Sequence, residues 1–389
     1  MLIAYREAPA VEPATKTKTE KQSMQNVTKG QNLMEASNQW ATRPADQRFP
    51  NMAALAAAVN ARRQRSRSVD VDLSTVQAKA LDEGGLRING RIQSVEPSHW
   101  SFSQLSSWIG APAEYLRRLP APLAADNINH GIRSLGAARD TLKFMTIESE
   151  NETRPNTLQA VTSATYGRIW DADVIAAVER IQERNPAFHN PPALARHGSN
   201  NAGLYASDHD CFIFMIDGGS FLEAGPRAQL NRGFIVWNSE TGARTFGLMT
   251  FLHNGVCGNH IIWGATEINK LVIRHSAGGP SRFDTEAAPA LLAYTQASAA
   301  PMIETIKRAQ SKIVAPDEAG ARAWLFKNGF TRKEAQSAVD FAKAEEGDAR
   351  TIWQLVQGAT AYARGFDFID TRIDLETRAG KLLDLAALN

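Results

Sequence analysis

Between residues 141 and 275 the chain carries a series of short segments rich in β-branched and aromatic residues, and nothing else in the sequence restricts the fold as much. LKFMTIE, LQAVTSA, CFIFMID, GFIVWNS, TFGLMTFL and NKLVIRH all read as strands, several of them separated by glycine- and Asx-rich turns. Their connections are often too short for crossover helices, so the pairing is expected to be largely antiparallel. One helix interrupts them, DADVIAAVERIQERN at 171–185, with Asp171 placed as its N-cap and Pro186 beyond its end. Val174, Ile175, Val178 and Ile181 fall on one face at helical spacing, so that face is core.

Helical patterns flank this region. Residues 51–63, NMAALAAAVNARR, read as a helix running into the basic cluster Arg62, Arg63, Arg65 and Arg67. Such a cluster is either a solvated helix end facing the negative pole of the dipole or a phosphate-contacting patch. SFSQLSSWI, started by Ser101 or Ser103 and ended by Gly110, is followed after Pro112 by AEYLRRL, and after Pro120 by LAADNINHGIRSL. Two short helices about a Gly-Ala-Pro turn have the outline of a helix-turn-helix, an outline that plain cores share.

From residue 284 the pattern is helical to the end, over 285–314, 317–328, 331–345, 350–364 and 371–386. Asp317 and Thr331 stand at N-cap positions and Gly329 at a C-cap. Residues 1–48, with Lys16, Lys18, Lys21 and Lys29 among small polar residues, read as a flexible leader. The expected fold is α+β, a mainly antiparallel central sheet with an N-terminal helical segment and a C-terminal helical region. Its parts are the leader, a core domain at 49–283 and a helical region at 284–389.

Composition narrows the function by exclusion. Of 389 residues 43% are hydrophobic and 22% charged, with a net charge of only +2. Any nucleic-acid site must then be a local patch, because no whole-molecule basic field exists. The two cysteines, Cys211 and Cys257, form no Cys-x-x-Cys pair and fit a reducing cytoplasm. No segment approaches the roughly 20 apolar residues of a membrane span, so no membrane partner is expected. Walker-type, Gly-x-Gly-x-x-Gly and Gly-x-Ser-x-Gly motifs are absent, and no cofactor is expected.

The densest polar grouping on the strand-rich background is residues 232–264. Within it, Asn238, Ser239, Glu240 and Gly242 break one apolar strand before the next begins. They read as a hairpin turn with Glu240 facing water, or as a site in which Glu240 acts as acid, base or ligand. By strand alternation Trp237 and Ser239 point one way, Asn238 and Glu240 the other. Arg244 and Arg274 are expected near that turn. His253, Cys257 and His260 have ligand types suited to zinc but not the spacing of a finger, and no metal is assigned to them. Asp210, Glu240, His260 and His275 would be the raw material of a metal-assisted hydrolase.

The ordered set NSETG at 238–242, Cys257–Gly258–Asn259 and Arg274–His275 resembles the family called domain of unknown function 932, whose members are often labelled phage/plasmid-like proteins. GAPAEYLRRLP at 110–120, Ser163 with Tyr166, and TIWQLVQGATAYA at 351–363 are similar to other parts of that family. The likeness covers about residues 80 to 368. It departs where Asn259 is followed by His260 in place of glycine. The family carries no established activity, so the resemblance implies a mobile-element setting rather than a reaction.

Together these readings favour a non-enzymatic nucleic-acid-binding protein, for example one that anneals or protects single-stranded DNA. The residues expected to bind are Arg62, Arg63, Arg65, Arg67, Arg232, Trp237, Asn238, Glu240, Arg244, Asn259, Arg274 and His275. The alternatives are an interaction or anti-host-defence protein that forms homo-oligomers, and a metal-dependent hydrolase acting on nucleic acid.

Overall fold

The computed structural model describes residues 45–387, apart from 83, 91, 136–140, 152, 191–202, 224–228, 255–259, 262–269 and 364–368. Side chains are further excepted at 220–223, 229, 253–254, 260–261, 270 and 369–373. Cys257 and Asn259, and the side chains of His253 and His260, therefore lie outside the described residues.

The first helix, α1 (Met52–Arg65), is capped by the Asn51 side chain, which accepts the Ala54 N–H at 2.8 Å. It runs directly into β1 (Ser66–Asp72). Next come β2 (Gln77–Ala80), β3 (Leu86–Asn89) and β4 (Val95–Pro97), then α2 (His99–Trp108), α3 (Ala113–Leu116) and α4 (Ala121–Ser134). Strands β5 (Thr141–Ile147) and β6 (Asn156–Ser163) complete a six-stranded sheet in the order β1-β5-β6-β4-β3-β2. All its pairs are antiparallel except β4 with β6.

Helices α2 to α4 lie against this sheet. Phe102, Leu105, Leu116, Ile128 and Ile132 meet Ile88, Leu142, Phe144 and Leu158 in one core. The Asn129 side chain closes the outer edge at β2, accepting from Ala78 N–H and donating to Ala78 O. Of the helix-turn-helix outline, the second helix is a single turn of four residues. Its Leu116 is buried in the core under the sheet. Ser98 caps α2, three residues before the expected Ser101.

Helix α5 (Asp171–Arg184) leads to the second sheet. Its strands are β7 (Phe188–His189), β8 (Leu204–Ala206), β9 (Cys211–Glu223), β10 (Gln229–Asn238), β11 (Phe246–Asn254), β12 (His260–Ile261) and β13 (Lys270–Ile273). The path is β12-β11-β10-β9-β7, with β13 also on β11 and β8 on β9, all antiparallel. The expected pairing of GFIVWNS with TFGLMTFL is present, with Trp237 opposite Gly247. A Cβ on Gly247 would stand 1.8 Å from the Trp237 ring, so only glycine fits beneath the indole.

Side-chain alternation splits this sheet into two faces. Phe234 and Val236 pack with α1 and α5 on one side, while Ile235 and Trp237 join an aromatic-rich cluster with Phe212, Phe214 and Phe251 on the other. Trp237 is 7% exposed and serves as core, in contrast to its expected place as a base-stacking surface residue.

The remainder is helical, as its periodicity implies. A turn at Gly279–Arg282 and a π-turn at Phe283–Ala287 come first, and the expected helix at 285–314 is divided into α6 (Ala288–Gln296) and α7 (Ala300–Ser311). Then follow α8 (Glu318–Lys327), α9 (Arg332–Glu346), α10 (Ile352–Ala363) and α11 (Ile369–Ala387). Asp317 caps α8, Thr331 forms a full capping box with Glu334, and Gly329 takes φ +90°. Helices α7 to α11 form their own core, which reaches the second sheet through Leu230 and Leu252, while Leu291 and Tyr294 of α6 pack with α5 and that sheet. No helix among the described residues is long and apolar enough to cross a membrane.

The α+β order is thus present, but the strands divide into two sheets in place of the single expected one. Strands β1 to β4 add to those read from sequence. The fold also begins before residue 49, because Arg48 bridges Tyr205 and Phe49 N–H donates to Leu204 O at 3.1 Å.

Arg232, expected on a binding surface, is a buried strut. Its Nε donates to Asp217 Oδ2 at 2.7 Å, and its other nitrogens reach the carbonyls of Tyr294, Thr295 and Ala297 where α6 ends. It thereby satisfies helix-terminal carbonyls and joins α6 to the second sheet. Arg232→Met leaves Asp217 buried without its cation and should cost about 3–5 kcal/mol in chemical denaturation. Adding Asp217→Leu should restore part of that loss. An unchanged unfolding midpoint in the single variant would contradict this role.

Candidate functional site

The two sheets meet at residues 239–245, which connect β10 to β11. Asn238, Ser239, Glu240 and Thr241 are all buried there, and Gly242 takes φ +86° at the exposed tip. The expectation that Glu240 faces water is therefore wrong, and a cation from α1 explains why. Arg62 Nε stands 3.2 Å from Glu240 Oε1, Arg62 Nη2 donates to Asp171 Oδ2 at 2.9 Å, and Arg62 Nη1 donates to Ser207 O. Asp171 N–H donates to Glu240 Oε2 at 3.1 Å. Asn238 Nδ2 donates to Asp171 Oδ1 at 2.7 Å and to Ile169 O at 2.9 Å.

Asp171 is accordingly not the N-cap of α5. Trp170 holds that position, and the Asp171 carboxylate turns inward to this cluster. A third buried carboxylate, Asp210, accepts from Ser207 Oγ at 2.6 Å and pairs with Arg244 at 3.5 Å. Arg168 Nη1 donates to Glu240 O. Two guanidiniums, of Arg62 and Arg244, thus meet three carboxylates, of Asp171, Glu240 and Asp210, while Arg168 meets only the Glu240 carbonyl. Arg62 stays charged because Glu240 and Asp171 outweigh the effect of burial. Burial, reinforced by the adjacent Glu240 carboxylate, pushes the Asp171 carboxyl up to about 7.

Two partly exposed aromatic–imidazole stacks bracket the connection. Trp100 stacks on His209 at 5.8 Å and donates its indole N–H to Thr241 O at 3.2 Å. Gln104 donates to the same oxygen at 2.8 Å and accepts from Val161 N–H, tying the connection to β6. On the other side Tyr166 stacks on His275 at 5.0 Å and donates its hydroxyl to Ser239 O at 3.1 Å. His275 shares a 3.2 Å hydrogen bond with Gly167 O, and burial lowers its pKa to about 4. A Cβ on Gly167 would fall 1.9 Å from Ser276 O, so glycine alone permits this approach of the two segments.

Tyr166, Arg168 and Trp170 alternate along the extended approach to α5, and a cation–aromatic ladder results. Arg63 Cζ lies 3.8 Å over the Trp170 ring. Arg168 Cζ lies 5.5 Å from Trp170 and 5.2 Å from Tyr166. Arg63, Trp170, Tyr166 and His275 are half-buried.

The residues expected to bind are distributed differently from the sequence reading. Arg62, Asn238, Glu240 and Arg244 are brought together, but inside, with Arg244 on Asp210 rather than on Glu240. Arg274 is exposed and does not reach Glu240, whose cation is Arg62 from a helix the sequence reading never placed there. Arg65 and Arg67 pair on the surface with Glu150 and Glu148. His275 lies on the ladder. Asp171, Arg168 and Trp170 were not anticipated. The signal that could have found them is the i, i+2, i+4 spacing of Tyr166, Arg168 and Trp170. Among the described residues no group of three or more His, Cys, Asp or Glu is placed to hold a metal ion.

Comparison with protein-family models, with curated proteins and with solved structures returns no match for this chain.

The raised pKa of Asp171 has a definite sign in stability. The folded state keeps this proton where the unfolded chain, with an aspartate near 4, has released it. The contribution is fully present below about pH 4 and is lost as pH rises to about 7, by at most about 1.4 kcal/mol per pH unit. His275, with its lowered pKa, gives the opposite slope between about pH 4 and 6.5, so the wild-type profile alone mixes the two. The difference in stability between wild type and Asp171→Asn should therefore shift against wild type as pH rises from 4 to 7. A difference constant across that range would show that Asp171 ionises normally. Gly167→Ala should lower stability by more than about 1 kcal/mol and disturb the Tyr166–His275 stack, read from the histidine ring proton shifts.

Proposed function

We propose that the protein binds single-stranded nucleic acid along the flank carrying Arg63, Trp170, Arg168, Tyr166 and His275. The observation that carries this reading is the ladder itself, in which guanidiniums alternate with aromatic rings at 3.8 to 5.5 Å. Unpaired bases stack on aromatic faces and cations follow the phosphates, so a base would take the Trp170 face as Arg63 leaves it for a phosphate. A duplex offers no free base face, so the single strand is the favoured form. The resemblance to phage- and plasmid-borne proteins supports the same setting. Arg65 ends the same helix and Arg67 follows it in β1, and their surface ion pairs are of the kind worth only about 0–1 kcal/mol, readily exchanged for phosphate. The buried Arg62, Arg244, Asp171, Asp210 and Glu240 behind the ladder act as a rigid support and do not touch the strand.

Fluorescence anisotropy with single-stranded DNA, duplex DNA and RNA at several salt concentrations tests this reading. Single strands should bind more tightly than duplex. Arg63→Ala should weaken binding and flatten the salt dependence by about one phosphate contact, while Trp170→Ala should weaken it by about 1–3 kcal/mol. Binding that is undetectable at low salt, or unaffected by both substitutions, would defeat the proposal.

A further inference from the structure

Arg168 carries two donors that no acceptor among the described residues satisfies. The residue is 7% exposed, yet both Nε and Nη2 are buried without a hydrogen-bond partner. Such a donor costs about 1–3 kcal/mol when neutral and more when charged, so the arrangement calls for an explanation. The Tyr166 and Trp170 rings beside it favour a cation but offer no directed acceptor. The Glu240 carboxylate is already engaged by Arg62 and by the Asp171 N–H, and gives Arg168 only its backbone oxygen. A second guanidinium, that of Arg63, lies across Trp170. Burial, together with the like charge of Arg63, lowers the pKa of Arg168. The Nε2 of His275, on the ring stacked against Tyr166, also lacks a partner.

The geometry points to an oxyanion seat at Arg168, in which one phosphate group is held bidentately by Nε and Nη2 with the charge of Arg63 close by. The paired donors match two oxygens of a tetrahedral anion, the geometry in which arginine binds phosphate most strongly. Two adjacent guanidiniums suit a phosphate better than a single carboxylate. Tyr166 is tied through its hydroxyl to Ser239, and both donors are closed to solvent, so the seat must open for phosphate to enter. This deepens the nucleic-acid reading and rests on it for the carrier of the phosphate, a single strand whose base lies on an adjacent ring.

The test uses the full chain and inorganic phosphate as probe. At about tenfold excess over its dissociation constant, phosphate should raise the melting temperature by about 2–4 °C relative to chloride at equal ionic strength. Calorimetric titration should give one site. Arg168→Lys, which keeps the charge but loses the fork, should bind phosphate at least about tenfold more weakly. No stabilisation of the wild type overturns the seat whether or not the variant folds. Unchanged phosphate binding by folded Arg168→Lys overturns it too. Phosphate should also compete with a bound oligonucleotide. If phosphate binds while oligonucleotides do not, the seat stands and the nucleic-acid reading falls. If oligonucleotides bind while phosphate neither stabilises nor competes, the seat falls and the wider reading stands.

Discussion

Arg62 is the charge on which the junction of the two sheets depends. It lies in the last turn of the helix that leads into β1, and its guanidinium reaches Asp171, Glu240 and Ser207, residues that come from α5, the β10–β11 connection and the segment after β8. None of these groups could be buried alone, since an ion removed from water without a partner costs several kcal/mol. Their mutual neutralisation allows Glu240 to turn inward, and with it the whole connection from Ser239 to Thr241. Once that connection is sunk between the sheets, its carbonyls become acceptors for Trp100, Gln104 and Tyr166. The aromatic stacks at the surface are thus placed by a charge cluster beneath them.

This arrangement makes the junction specific more than it makes it stable. Buried ion clusters often contribute no more than well-packed apolar groups would, but they tolerate few alternative geometries. Here the charges demand that α1, α5 and the connection meet in one register. Packing on either side is conventional by contrast. The first sheet is covered by α2 to α4, and the second has α1 and α5 on one face and an aromatic cluster on the other. The C-terminal helices hold a separate core.

Much of the framework is legible from local pattern. The 3.6-residue period of 171–185 and of the C-terminal segments, the capping residues Asp317 and Thr331, and the antiparallel pairing of 232–238 with 246–252 follow from neighbours in the chain. Less legible are β1 to β4, which are short and largely polar. SRSVDVD forms a strand because β5 supplies its partner along all seven residues, and its own composition barely announces one. The functional reading placed Arg232 and Trp237 outside for a similar reason. An arginine or a tryptophan in a strand has the same signature whether it meets solvent, a helix terminus or a glycine opposite.

By itself, then, the sequence determined the α+β class, most of the helices and the alternation that sends Asn238 and Glu240 to one face and Trp237 to the other. Those properties are set by interactions over a few residues, and period and capping encode them. Only the tertiary structure decided what that first face would meet. Arg62 and Asp171 lie 109 residues apart, and Arg62 and Ser207 145 apart. Whether a charge is buried depends on which distant group arrives to neutralise it, because the desolvation cost and the compensating contact come from different parts of the chain.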